Sequence, residues 1–472
     1  MFFRYYPGFY DTLSAFISQI VPIKYEVHIH HLINLFFSLL AIFGISKIAG
    51  RLFNKKVGKI VFLLSFLNPI FFGHMSFNPK DPIVAFSHVW ATYFIIRYLQ
   101  TQQISAKRKH FSTLVGLTIG FGSGVRAIFV GCLIPILILT ILDIFFLKKL
   151  TNKKFSLIKF FKDLFKVLLI AYAMMIIFWP NVHNNIFTLP FKLTFYSLND
   201  VFFGTNIGLL NGDFYRTHET PRSYLIINLF YKLPEFILLS YIIFVYLFFN
   251  DKKFFLTHFK FVKTKLFYLL FIIVLPIVIA ALIALKIHDG LRYFLFLMPY
   301  LSIIPGVAIY YLIYNIKLNI NKFYLISILA LFIYYLFNFF SLTPYQYTYL
   351  NILNGNFSDA SKRFENDYLG ASLKELVSKI EMSKHFNSNN YLKIAYCGIN
   401  NDTINYYLKE IENFKYMETP NDEDYDYIIM TNRHSGKDQT CFDSYKGKDI
   451  VSVERNGLIL SRIRQNTGPK LN

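Results

Sequence analysis

The stretch His288-Asp289-Gly290-Leu291-Arg292-Tyr293-Phe294-Leu295-Phe296 decides the class of this chain. It closes a short polar run, Lys286 to Arg292, set between two long apolar segments, Leu266–Leu285 and Tyr293–Tyr314. Apolar runs of about 18 or more residues with few charges read as membrane spans. Lys286, His288, Asp289 and Arg292 therefore stand at the mouth of a span, where ionisable groups are costly and usually have a task such as binding a charged ligand. A solvated turn with a snorkelling arginine is the competing reading.

Composition agrees with a membrane protein. Of 472 residues, 54% are hydrophobic and only 16% are charged, against about 25% charged in an ordinary soluble domain. The net charge of +21 invites a nucleic-acid reading. The lysines, however, fall in short clusters between apolar runs, as in cytoplasmic loops, and not on one polar domain. No fixed-period repeat and no cleavable signal peptide is visible.

Working outward, apolar segments recur at Leu32–Ala49, Val57–Phe72, Ile83–Leu99, Phe111–Leu147, Val167–Trp179, Arg222–Phe249 and Phe323–Phe340. Phe111–Leu147 is flanked on both sides by basic loops, so it crosses twice, with a break near Gly120–Arg126 where Gly122 and Gly124 permit one. Pro234 should kink Arg222–Phe249. The count is about ten spans, and lysine-rich loops alternate with lysine-poor ones. That asymmetry predicts a multi-pass plasma (inner) membrane protein whose N-terminal segment, Asn78 loop, Pro180–Pro221 loop, His288 loop and C-terminal tail lie outside. Ahead of the first span, Asp11–Ile20 has the spacing of a helix lying on the membrane. His28, His30 and His31 follow, as ordinary interfacial residues or, less simply, a metal site.

The expected fold is mainly α: a polytopic transmembrane helical bundle over residues 1–342, followed by a small extracytoplasmic α/β domain over 343–472. In the latter, Leu392–Tyr396 and Tyr427–Met430 read as buried strands and Thr403–Leu408 as helix. Ile450–Ser461 reads as a hairpin turning at Asn456-Gly457. Cys397 and Cys441 are either paired or both free, and no cysteine has metal-ligand spacing.

The candidate chemistry gathers on the outer side. Asp81 sits at a span entry beside Lys80, either as a helix cap next to Pro82 or as a working carboxylate, and the two are compatible. Arg126 lies in an apolar run after Gly122-Ser123-Gly124, and Arg292 offers a second guanidinium next to His288 and Asp289. Two guanidinium groups on one face suit a lipid-linked phosphate or diphosphate. Motifs for ATP-driven work, serine hydrolysis or a zinc hydrolase are absent.

Several stretches resemble the GT-C superfamily of polytopic glycosyltransferases, in particular the family 39 type, which includes protein O-mannosyltransferases and the lipid A aminoarabinose transferase. They are Tyr5-Tyr6-Pro7-Gly8-Phe9-Tyr10-Asp11, Asn78-Pro79-Lys80-Asp81-Pro82, Gly116-Leu117-Thr118-Ile119-Gly120 with Arg126, His288 to Leu295 with Pro299, Thr343 to Asn351, and Arg363 to Gly370. The resemblance implies sugar transfer, with inversion, from a polyprenyl-phosphate donor to a lipid, glycan or protein acceptor at the outer face. An aspartate of the first external loop would act as base, basic residues would hold the phosphate, and a divalent metal is an optional cofactor. The sequence departs from the family by starting at what resembles the end of that loop, without the first span and first acidic loop, so the base is not carried over. Asp81 then stands as the catalytic carboxylate, with Lys80, Arg126, His288, Asp289 and Arg292 binding substrate. The alternatives are a transporter or flippase of a lipid-linked or anionic solute, and an inactive membrane scaffold.

Overall fold

The computed structural model describes residues 7–22, 25–151, 155–199, 206–283, 285–315, 319–381, 391–409, 411, 415–420, 424–435 and 439–467. The chain divides into two compact units. The first comprises 1–201, 234–282 and 291–335. The second comprises 202–233, 283–290 and 336–472. The polar C-terminal stretch expected as a domain from residue 343 is thus part of a unit that also gathers residues 202–233 and 283–290.

The first unit is helical. It opens with α1 (Phe9–Ser18), α2 (Glu26–Leu52), α3 (Lys55–Phe66), α4 (Pro69–His74), α5 (Asp81–Gln100) and α6 (Ser105–Val125). After these come α7 (Phe129–Cys132), α8 (Ile134–Leu142) and α9 (Leu157–Ile177). Local sequence fixes the starts. Asn54 caps α3 by accepting from the Val57 amide, and Asn68 caps α4, with Pro69 at the first turn where its missing N–H costs nothing. Among the described residues, Glu26–Leu52, Val262–Leu282 and Ile320–Ser341 are long and apolar enough to cross a membrane. The segment expected to kink at Pro234 is broken there into Tyr224–Lys232 and Glu235–Asn250.

The break expected inside Phe111–Leu147 is present. Helix α6 ends at Val125, and Arg126 leaves it in an extended conformation (φ −140°, ψ 115°). Gly116 and Gly120 set how closely α6 lies on α9. A Cβ on Gly120 would stand 2.5 Å from Met174 Cβ and 3.0 Å from the Ala171 carbonyl, and one on Gly116 would stand 2.9 Å from Ile170 Cβ. Small residues four apart are how apolar helices approach without a hydrophobic driving force. At the other ends of these helices Arg108 pairs with Asp163, which also accepts from the Tyr98 hydroxyl at 2.9 Å. This buried group ties α5, α6 and α9 together and keeps both charges partnered.

The second unit carries two sheets. Strands β1 (Ile207–Leu210) and β2 (Asp213–Arg216) form a hairpin turning at Asn211-Gly212, both with positive φ. The other sheet has five strands, β3 (Leu392–Cys397), β4 (Tyr416–Glu418), β5 (Tyr427–Thr431), β6 (Lys448–Arg455) and β7 (Leu458–Gln465), in the order β4-β3-β5-β7-β6. β3 runs parallel to β4 and β5, and the β6–β7 hairpin adds antiparallel strands. The expected turn at Asn456-Gly457 is present, with φ of 51° and 80°. The sheet's core packs Ala395, Ile428, Met430 and Phe442 around a disulfide between Cys397 and Cys441, so the pairing left open by the sequence is resolved in favour of the bond.

Candidate active site

Helices α5 and α6 bring Asp81 and Arg126 together within the first unit. Asp81 opens α5 and is only 5% exposed. It does not cap the helix. The N-cap position is Lys80, without a side-chain cap, and Asn78 Oδ1 secures the turn before it by accepting from the Lys80 amide at 3.2 Å and the Asp81 amide at 3.1 Å. The Asp81 carboxylate instead faces Arg126, where Oδ1 accepts from Nη2 at 2.7 Å while Oδ2 accepts from Asn78 Nδ2 at 2.8 Å. Arg126 can reach it because the chain leaves the α6 axis at that residue.

Tyr293 links the two arginines. The Arg126 guanidinium lies 5.5 Å from the centre of its ring and that of Arg292 lies 4.5 Å away, with Arg292 Nη2 donating to the Tyr293 hydroxyl at 2.7 Å. Each contact is an ordinary cation–π interaction. Together they put two permanent positive charges against one aromatic side chain, with the Asp81 carboxylate on Arg126. Sequence alone gave no measure of this proximity.

Lys80 reaches back to Asp11 on α1 at 3.4 Å. Helix α1 is anchored by its Gly8 amide on the Phe178 carbonyl at 2.7 Å and by Phe9, wedged among Phe37, Phe121 and Phe178. Its opposite face, with Asp11, Thr12, Phe16 and Gln19, borders an open cleft of about 710 Å³ whose other wall is Pro180 and Asn181. The three histidines diverge. His30 bonds the Tyr10 hydroxyl at 2.6 Å and the Ser14 hydroxyl at 2.7 Å, and His31 bonds the Ser76 carbonyl at 2.9 Å. Among the described residues no group of three or more His, Cys, Asp or Glu side chains is arranged to hold a metal ion.

His288 and Asp289 belong to the second unit, as does Arg433. Asp289, 2% exposed, accepts from Arg433 Nη2 at 2.7 Å, and His288 Nε2 stands 3.3 Å from its other oxygen. Arg433 also approaches Glu365 at 3.8 Å and donates to the Asp367 carbonyl at 3.3 Å. Burial opposes the Arg433 charge, but Asp289 and then Glu365 outweigh it and raise its pKa. Arg433 is 144 residues from Asp289, and no local pattern foretells the pair.

A large apolar cavity of about 760 Å³ lies beside α6. Ile95, Val115, Leu133, Val167 and Phe191 line it, and Ser123 and Ala127, on either side of Arg126 in sequence, are at its wall.

No family model matches the chain, and no curated protein is found similar to it in sequence. Among solved structures it is similar to ArnT from Cupriavidus metallidurans bound to undecaprenyl phosphate, with 11% identity and a TM-score of 0.46 over 99% of this chain and 90% of that one. It is also similar to the archaeal oligosaccharyltransferase AglB from Archaeoglobus fulgidus in complex with an inhibitory peptide and a dolichol-phosphate. There the identity is 11% and the TM-score 0.48, over 90% of this chain and 61% of that one. ArnT and AglB are both members of the GT-C superfamily.

Proposed function

We propose that the chain is a membrane glycosyltransferase of the GT-C type, moving a sugar, with inversion, from a polyprenyl-phosphate donor to an acceptor at the outer face. The observation that carries this reading is the meeting of Arg126 and Arg292 on Tyr293, next to Asp81. Like charges held together in a poorly solvated place favour an anion between them, and a guanidinium fork matches a phosphate better than an ammonium does.

Each part of the site then has a task. Asp81, with both oxygens engaged, aims the Arg126 guanidinium at the phosphate. Arg126 and Arg292 stabilise charge as the bond between the anomeric carbon and the phosphate oxygen breaks. Asp11 is the more exposed carboxylate and fronts the cleft, so it is the better placed to take the proton of an acceptor hydroxyl. The apolar cavity next to Arg126 suits a prenyl chain.

Two facts support the outer face. α5 and α6 start and end so that Asp81 and Arg126 share one end of the pair, while Lys107, Arg108 and Lys109 follow α5 at the other. A disulfide in the second unit fits an oxidising compartment.

The test is direct. The full chain in nanodiscs is given fluorescent polyprenyl phosphate, then polyprenyl-phosphate hexoses and pentoses with radiolabelled sugar. Saturable binding that Arg126→Ala and Arg292→Ala both weaken, with sugar release, supports the reading. No binding and no release across the panel refutes it.

A further inference from the structure

The second unit holds a polar cavity that the transfer reading does not use. Tyr396, Asn401, Glu418, Thr419 and Pro420 line a space of about 480 Å³. It opens where the parallel strands β3 and β4 end, at Cys397 and Glu418, and where the helix Asn401–Leu408 begins. The crevice outside the carboxyl ends of parallel strands is where open α/β sheets take ligands.

The lining side chains are fixed by one another. Asn405 is the hub. Its Oδ1 accepts from the hydroxyls of Tyr396 at 2.8 Å and Tyr416 at 3.1 Å, and its Nδ2 donates to Glu418 Oε2 at 3.0 Å. Asn401 Nδ2 donates to the other oxygen of Glu418. The carboxylate is thereby held in one orientation at the cavity wall. Beside it, Thr419 Oγ1 is buried with no hydrogen-bond partner among the described residues, although the Thr419 amide is secured on the Ile394 carbonyl at 2.9 Å. A buried hydroxyl left without a partner is destabilising, and a ligand hydroxyl in the cavity would satisfy it.

We infer that this cavity is a binding site for a neutral saccharide, an inference that stands apart from the transfer reading. A carboxylate, a carboxamide and a hydroxyl offer donors and acceptors for neighbouring sugar hydroxyls. Tyr396 and Pro420 complete the lining beside these polar groups. Among the described residues, none of the five that line it is cationic, and Glu418 is anionic, which disfavours a phosphate or a sugar acid. The volume lies within the range of about 300–1,000 Å³ usual for small-molecule sites.

The experiment uses the full chain in nanodiscs, fluorescently labelled, on an immobilised panel of neutral, amino and acidic glycans. The strongest neutral oligosaccharide is then titrated in solution. The site predicts retention of neutral glycans, a loss of about tenfold or more in Glu418→Gln, and loss in Asn401→Trp, which fills the cavity while keeping Glu418. Each variant's melting temperature shows that it is folded. Capture of no neutral glycan, capture of acidic glycans alone, or capture unchanged in both folded variants overturns the inference. Because the readout is binding, it stands or falls separately from any sugar transfer.

Discussion

Replacing Asp367 by asparagine tests how burial sets the energetics of the second unit. The Asp367 side chain is 1% exposed, and its Oδ1 accepts from the Ser372 amide at 3.1 Å and the Tyr347 hydroxyl at 3.4 Å. Burial, the largest influence, pushes its pKa from 3.8 up to about 6, against the lowering effect of the Ser372 amide and Arg433. The difference, 6 − 3.8, is about two units, or about 3 kcal/mol at 1.36 kcal/mol per unit. The sign follows from which state holds the proton. The folded state keeps it more tightly, so the linked stability is fully present below about pH 4, falls as pH rises through about 6, and is flat above that. The carboxamide of the Asp367→Asn variant would be neutral throughout, and its oxygen can still accept from Ser372. Hydrogen exchange of the segment 366–372 in the full chain, measured from about pH 4 to 8 and expressed as the ratio of wild type to variant, removes every other titration the two share. That ratio should rise on the order of a hundredfold between about pH 4 and 8, with the wild type the more labile at the alkaline end. A ratio constant across the range would refute the reasoning.

Three further outcomes follow from the geometry. Asp81→Asn leaves a largely buried arginine without its carboxylate, so it should lower stability by about 3 kcal/mol in thermal unfolding and weaken polyprenyl-phosphate binding, whereas Asn78→Ala should do less of both. Cys397→Ala opens a loop of 44 residues; chain entropy puts the loss near ~4 kcal/mol, read as earlier proteolysis of the sheet-bearing unit, and reductant should reproduce it in the wild type. Gly120→Leu must push α6 off α9, because a Cβ alone already meets Met174 and Ala171; a melting temperature equal to that of wild type would contradict the packing described.

Patterns that depend on neighbours in sequence were readable. Hydropathy located the long apolar helices, the glycines before Arg126 marked the end of α6, and Asn456-Gly457 gave the hairpin; the segment Tyr293–Tyr314, read as one span, is α-helical only over Ile303–Tyr314. The same signal at Asn211-Gly212 was present but hidden inside a stretch read as loop, because its strands are only four residues each. What sequence does not encode locally is partnership. Asp81 and Arg126 stand in separate helical segments, and nothing in either says that one holds the other. His288 and Asp289 looked like companions of Arg292 by adjacency, yet Asp289 is engaged with Arg433, and His288 with Asp289, in the unit that does not contain Arg292. His88, which the sequence gave no reason to notice, is a satisfied core residue between the Tyr300 hydroxyl and the Cys132 carbonyl.

That last carbonyl belongs to the one cysteine the disulfide does not consume. The chain has three cysteines in all, so it already carries a single thiol outside that bond, placed in the apolar stretch just past Arg126. A spin label or fluorophore attached there, delivered from the bilayer by a lipophilic reagent, would report on occupancy near the arginines with no cysteine engineered in or out.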